Sequence, residues 1–445
     1  MKITVIGTGY VGLITGLCLS SLGNEVTCID INISIVQKLN NGIPTIFEDG
    51  LEDLLKSELS SKRFKVSMNI KKSISESETI FIAVGTPSLE NGEIDLSYIE
   101  KALITVSQEL RNINRYISIV IKSTVLPTTT DTFIRKLIEK YSGKNLGQFG
   151  LGMNPEFLRE GSAINDFMNP DRIIIGSEDI QTQKNLEELY KNFNCEKILV
   201  NTRTAELIKY ANNSLLALLI SATNEISNLT TLIGKVDIKD VMTGVKLDKR
   251  WNPIINNKRI YPGILEYLNP GCGFGGSCLP KDVSAFIKLG LEKGKDLKIM
   301  QSILDVNINQ PKQIIIDLEE IIDLHKKKIL ILGLSFKPGT DDVRESPSLS
   351  LVRELSKKEI DIYAHDPVSI DNFKKEINLK IKIHYLKSWD EKLKEVDIVI
   401  LLTGWDMYKK IYGLNLKNQI IYDARRILKK EKLICKRYLG LGYKD

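Results

Sequence analysis

The chain has 445 residues, of which 42% are hydrophobic and 27% charged, and a formal net charge of +6. That length allows two or three domains with full cores, and the composition is that of a soluble globular protein. Lysines are interleaved with acids, which argues against nucleic acid as a partner, and six cysteines without CxxC spacing, with three dispersed histidines, argue against a disulfide framework or a zinc site.

The first 30 residues read as strand "KITVIG", glycine turn, apolar helix "YVGLITGLCLSSLG" and strand "EVTCID". Glycines interrupt the apolar run and no cleavage site follows, so a first strand is expected rather than a signal peptide. The apolar runs have strand length, short of the roughly 20 residues of a membrane span. A cytoplasmic protein without a membrane partner is expected. Gly7, Gly9 and Gly12 form G-x-G-x-x-G between a strand and a helix, with Tyr10 and Val11 inside it. Gly7 permits the turn, Gly9 lets a pyrophosphate approach, and Gly12 lets helix and strand pack closely. The helix start supplies amide donors and partial positive charge. Asp30 closes the next strand, where a carboxylate accepts ribose hydroxyls and repels a 2′-phosphate; NAD is expected.

Further strands follow in "TIFIAVGTP" (79–87), "ISIVIKSTVLP" (117–127) and "FGLGMNPEF" (149–157). Short apolar runs with helical stretches between them predict a parallel sheet covered on both faces. Strand carboxyl ends line the ligand crevice of such a sheet, which makes Thr86, Pro87 and Thr124 cofactor-side candidates. "NPEFLREG" (154–161) adds Glu156 and Glu160, as functional acids or as surface charges at a helix start.

From 201 the texture is helical, with no proline for more than thirty residues. A long spine helix with a possible dimer surface is expected. "ELIKYANN" puts Lys209 and Asn213 one turn apart, as a functional pair or a solvated face. The glycine-rich "NPGCGFGGSCLPKD" (269–282) follows. Cys278 precedes "LPKD", where a helix begins; a helix start and Lys281 favour the thiolate. It reads as a nucleophile, as buried filler, or as a redox partner of Cys272. Asp282 lies one turn on.

Strands return in "KKILILGLSFKPG" (327–339), "IDIYAHDP" (360–367), "VDIVILLTGW" (396–405) and "QIIYDARRI" (419–427). This second unit lacks the full dinucleotide fingerprint and is expected to hold another nucleotide. The fold expected is α/β, with two Rossmann-like doubly wound domains (1–200 and 326–445) joined by a central helical region (201–325). NAD beside a thiolate suggests aldehyde oxidation through a thiohemiacetal and a thioester.

Together "GTGYVG", "VGTPS", "KSTVLP", "NPEFLREG", "KYANN", "GFGGSCLPKD" and "GLSFKPGTDDVRESP" resemble the UDP-glucose/GDP-mannose dehydrogenase family, in order from residue 1 to about 350. The resemblance implies four-electron oxidation of a nucleotide sugar, with two NAD reduced in turn. It makes Cys278 the nucleophile, Lys209 the stabiliser of the alkoxide and Asp282 its partner on a water or proton. Glu156 becomes the base for thioester hydrolysis, Thr124 a positioner of water or cofactor, and Asn213 a substrate or oxyanion contact. Glu160, Lys281 and Arg344 become cofactor contacts. The substrate would meet Glu156, Phe157, Leu158, Arg159 and Glu160, Lys209 and Asn213, the stretch Tyr267, Leu268, Asn269, Pro270 and Gly271, then Gly275 and Lys337. No metal is implied, and a homodimer or higher oligomer is.

Two departures stand out. Ile35 replaces a basic residue that often follows the ribose-binding acid, and a longer stretch before "LNPG" leaves Arg250 and Arg259 as alternatives for reaching a neighbouring subunit. "NPDRIIIG" and "YDARRIL" lean toward the UDP-glucose branch. Alternative readings are the GDP-mannose branch or another nucleotide-sugar 6-dehydrogenase by the same mechanism, a two-electron hydroxyacid dehydrogenase that would need neither Cys278 nor a third domain, and an NAD-binding redox sensor using both thiols.

Overall fold

A computed structural model describes residues 1–89, 91–377 and 382–444. Tertiary contacts divide the chain into two compact units, Met1–Asn212 and Asn213–Asp445.

The first unit is built on an eight-stranded sheet. Its strands are β1 (Lys2–Ile6), β2 (Glu25–Ile29), β3 (Phe64–Ser67), β4 (Thr79–Ile82), β5 (Ser118–Ile121), β6 (Gly150–Met153), β7 (Arg172–Ser177) and β8 (Glu196–Val200). Their spatial order is β3-β2-β1-β4-β5-β6-β7-β8. The first six run parallel, β7 turns antiparallel to β6, and β8 follows β7 in parallel. The apolar strands alternate between two cores, as a sheet covered on both faces requires. Ile3, Val5, Phe81 and Val120 pack on one face; Ile6, Ile80, Ile82 and Ile119 pack on the other. The order of the first six strands is that of a dinucleotide-binding sheet, and it puts the reversal of strand order between the parallel strands β1 and β4.

In the second unit, β9 (Ile254–Ile255) and β10 (Lys258–Arg259) form a small hairpin. The main sheet comprises β11 (Lys328–Leu332), β12 (Asp361–His365), β13 (Ile383–Tyr385), β14 (Ile398–Leu401), β15 (Asn415–Asp423), β16 (Ile434–Gly440) and β17 (Tyr443–Lys444). Its order, β13-β12-β11-β14-β15-β16-β17, repeats that of the first sheet, with β17 antiparallel at the edge. Ile329, Ile331, Ile398 and Ile400 face one core, while Leu330, Leu332, Val399 and Leu401 face the other.

The helix Thr202–Ile233 runs for 32 residues, and the division between the units falls inside it. Among the described residues it alone has the length and apolarity of a membrane span, which departs from the sequence expectation that no segment does. Its buried positions include Glu206, Lys209, Asn213 and Asn224, whereas Leu215, Ile226, Leu229 and Leu232 are exposed. Polar groups inside and leucines outside reverse the usual pattern of a lone surface helix.

Candidate functional site

The dinucleotide motif sits where the sequence placed it. Gly7 follows β1 with φ +99°, which only glycine adopts without strain, and the helix Tyr10–Ser21 starts after Gly9. A Cβ on Gly12 would lie 2.0 Å from the Gly7 carbonyl oxygen, whereas one on Gly9 would meet nothing within 4 Å. Gly12 is thus a packing glycine, and Gly9 leaves open the approach to the helix start. Tyr10 and Val11 are half-buried at that start. Asp30 accepts from the Thr8 amide at 3.2 Å, the Thr8 hydroxyl, and the Asn32 amide at 2.9 Å. The Asp30 carboxylate is anchored beside the motif. Thr86 and Pro87 lie beyond β4, and Thr124 lies beyond β5. Ser123 ties these two strand ends together by donating to the Val84 carbonyl at 2.6 Å. This open, amide-rich turn beside a carboxylate fits a pyrophosphate and a ribose without a 2′-phosphate.

A buried ion pair ties the loop after β6 to the helix Thr202–Ile233. The Lys209 ammonium donates to the Glu156 carboxylate at 2.8 Å and to the Glu156 carbonyl at 2.7 Å, and both side chains are under 10% exposed. The solvated-face reading of Lys209 therefore fails, as does the surface reading of Glu156. Burial pushes the Glu156 carboxyl up. The Lys209 ammonium, the Leu158 amide and the charge of Lys122 outweigh that and hold it below the ordinary carboxylate range. Phe157 lies beneath two cations, with the Arg172 guanidinium 4.1 Å and the Lys209 ammonium 5.4 Å from its ring centre. Arg159 is exposed and pairs with Asp166 at 2.6 Å; Glu160 is half-buried.

Lys122, quoted in "KSTVLP" but given no role from sequence, is buried here. Its ammonium donates to the Asn154 side chain at 2.9 Å and the Asn154 carbonyl at 3.3 Å. Burial lowers its pKa to about 8; nearby Glu156 opposes this and Lys209 adds to it. Between about 8 and the unfolded value near ~10.4, the unfolded chain binds the extra proton. The Lys122 contribution to stability therefore rises with pH through that window. Lys122→Met is expected to remove this rise, read as wild-type minus variant urea midpoints at pH 7.5, 9 and 10. A difference independent of pH would refute it.

In the second unit the glycine loop closes on its own chain. Gly276 donates to the Arg344 carbonyl at 2.8 Å, and a Cβ on Gly275 would lie 2.3 Å from the Glu345 carbonyl oxygen. Gly275 and Gly276 therefore admit the 336–345 segment. Asn224 accepts from the Gly271 amide at 2.8 Å, and Asn307 both accepts from and donates to the Phe274 backbone. Arg425 donates to the carbonyls of Phe336 at 3.0 Å, Gly273 at 3.3 Å and Leu402 at 2.7 Å. None of the three was assigned a role from sequence. Arg425 stands in the quoted "YDARRIL"; Asn224 and Asn307 lie at unremarkable helix positions.

Cys278 is an exposed thiol at the N-cap position of the helix Leu279–Glu292, with Pro280 in the first turn. The Asp282 carboxylate is 1% exposed and accepts from Asn213 at 2.7 Å and from Lys281 at 2.6 Å. Cys272 is fully buried, its sulfur 3.7 Å from the Leu402 carbonyl, and burial raises its pKa. The Lys337 ammonium lies 5.5 Å from the Phe336 ring centre, and exposed Arg344 pairs with Asp342 at 2.7 Å. Gly263–Leu268 forms a 3-10 turn with Tyr267 half-buried and Leu268 in a small core; Asn269, Pro270 and Gly271 follow. Arg259 braces its own loop through the carbonyls of Leu247 and Asn252, while exposed Arg250 pairs with Asp248.

A dinucleotide turn beside an anchored carboxylate in one sheet, and a second sheet of the same order without that motif, define a nicotinamide-dinucleotide dehydrogenase with a further nucleotide-binding domain. Three family descriptions match consecutive parts of the chain: the NAD binding domain (residues 1–194), the central domain (203–309) and the UDP binding domain (330–430) of the UDP-glucose/GDP-mannose dehydrogenase family. A UDP-glucose 6-dehydrogenase of Rickettsia conorii is 39% identical over 455 residues, covering 100% of both chains. One from Bacillus subtilis is 37% identical over 96% of this chain and 93% of its own. The structure of a UDP-glucose dehydrogenase from Pyrobaculum islandicum superimposes with a TM-score of 0.90 at 37% identity, covering 99% of this chain and 97% of that one. The chain belongs to the UDP-glucose/GDP-mannose dehydrogenase family, and NAD is its cofactor.

Proposed function

We propose that the chain oxidises the C6 alcohol of UDP-glucose to a carboxylate, using two NAD and one water. The reading is carried by an exposed cysteine at a helix start, in a chain whose buried lysine and carboxylates are already paired for proton work. Bound NAD accepts a hydride in each of two steps. Lys209 stabilises the alkoxide that forms as the C6 hydroxyl loses its proton to water held by Asp282 and Asn213. The Cys278 thiolate then adds to the C6 aldehyde. The thiohemiacetal C–S bond survives the second hydride loss as a thioester, which water activated by Glu156 cleaves, returning the thiol. The balance is one alcohol, two NAD and one water to one carboxylate, two NADH and three protons. Thr124 positions water or cofactor. Glu160, Lys281 and Arg344 face the dinucleotide. Lys337, the 267–271 stretch and Gly275 face the nucleotide sugar, with the second sheet holding UDP. The activities by which the relatives are named favour UDP-glucose over GDP-mannose. Self-association through the exposed leucine face of Thr202–Ile233 completes the reading.

NADH yield on limiting sugar nucleotide tests it. Two NADH per UDP-glucose, with GDP-mannose inert, is the expected result. Two per GDP-mannose would keep the chemistry and overturn the substrate; one per sugar would overturn the thioester route.

A further inference from the structure

Glu48 lies between the helices Ile33–Asn40 and Leu51–Ser60 and has no part in the mechanism above. It is nonetheless 8% exposed, and three donors converge on its carboxylate. One oxygen accepts from the Ala163 amide at 2.7 Å; the other accepts from the Gly161 amide at 2.7 Å and from the Tyr10 hydroxyl. The Gly161 amide also reaches the Tyr10 oxygen at 3.2 Å.

Tyr10 is inside the dinucleotide motif, while Gly161 is joined directly to Glu160 and ends the 154–161 loop. Burial, then the hydrogen bond and charge of Glu48, then the charge of Glu160 keep the Tyr10 hydroxyl protonated, so it remains a donor. A buried carboxylate satisfied by one hydroxyl and two backbone amides is a specific joint. Gly161 has φ +81°, so the chain turns sharply there and depends on that anchor.

We propose that Glu48 is a positioning residue that ties the dinucleotide motif to the 154–161 loop, and so couples NAD binding to nucleotide-sugar binding. The second half rests on the assignment of that loop to the sugar nucleotide. Coupling of this kind is reciprocal: whatever cofactor occupancy does for the sugar, the sugar does for the cofactor. Glutamine has the shape of glutamate but cannot serve all three donors. If its NH2 group faces Ala163, that amide is orphaned. If it faces Tyr10, the hydroxyl can turn to accept, but the Gly161 amide loses its 2.7 Å acceptor and keeps only the 3.2 Å contact to the Tyr10 oxygen.

The test uses the full chain with NAD and UDP-glucose. Glu48→Gln is expected to raise the NAD Kd, measured by calorimetry, at least fivefold. It should raise KM for UDP-glucose similarly, with turnover at saturation within threefold of wild type. Tyr10→Phe, which removes one donor, is expected to raise KM for UDP-glucose in the wild-type background but not in the Glu48→Gln background. If Glu48→Gln does not fold, the single Tyr10→Phe variant decides by the same sugar constant. A lowered melting temperature with both binding constants unchanged would reduce Glu48 to a structural brace and overturn the inference. So would independent, multiplying effects in the double variant. Inert wild-type protein with UDP-glucose would indict the substrate reading alone; the NAD isotherm of Glu48→Gln would still decide the cofactor half.

Discussion

Cys278→Ser is expected to stop carboxylate formation while NAD still binds. The side chain is exposed and the replacement is nearly isosteric, so stability should stay within about 0.5 kcal/mol of wild type. Near neutral pH a serine hydroxyl is not ionised and is a far weaker nucleophile than a thiolate, so it does not trap the C6 aldehyde efficiently. A loss of at least about 10³-fold in carboxylate formation corresponds to about 4 kcal/mol of barrier. The product is read by anion exchange and NAD binding by calorimetry. Carboxylate made at the wild-type rate would sink the covalent route. Cys272→Ala is the companion measurement: its sulfur is buried against the Leu402 carbonyl, so the variant should lose some stability and keep its turnover. A redox sensor built on two thiols would lose function with either.

Lys209→Met is expected to damage both fold and chemistry, and the two effects can be separated. It leaves the Glu156 carboxylate buried without the ammonium 2.8 Å away. Breaking such a pair from one side costs about 3–5 kcal/mol, because the remaining charge is not solvated. For a unit of this size that is a melting-temperature fall of roughly 6–20 °C. Since the Glu156 carboxyl is held below its ordinary range, the pair's contribution is present above the unfolded pKa near ~4.3 and is lost as pH falls through the folded value. Lys209→Met with Glu156→Leu replaces both charges by apolar groups and should recover much of the stability. It should not recover turnover, because the proposed mechanism gives Lys209 the growing C6 charge; a loss of about 10²–10³ in kcat is expected. A folded Lys209→Met with kcat within tenfold of wild type would make Lys209 structural only.

The two sheets were legible in sequence to the extent that each strand is a run of buried residues ending in glycine, threonine or a carboxylate. β1, β2, β4, β5 and β6 meet that condition; β3, with only Phe64 and Val66 inside, does not stand out. The antiparallel turn at β7 leaves no local mark, because direction in a sheet is decided by neighbours. Among the candidate residues, those clustered in motifs stood out in sequence: Lys209 and Asn213 by helical spacing, Cys278 by its glycines. The residues that hold those motifs were not. Glu48, Asn307 and Arg425 each act on backbone groups 23 or more residues away, so no spacing rule connects them to what they hold.

In each main sheet the earliest strand is central: β1 lies between β2 and β4, and β11 between β12 and β14. Such a strand cannot complete its pairing until the fourth strand of its own sheet has been made. On the ribosome this imposes a waiting time on each unit, during which a largely apolar strand lacks one neighbour. The first unit is continuous in sequence from Met1 to Asn212, so its wait can end before the second begins. Vectorial synthesis thus separates in time two sheets of identical strand order that could otherwise mispair, a characteristic hazard of repeated domains.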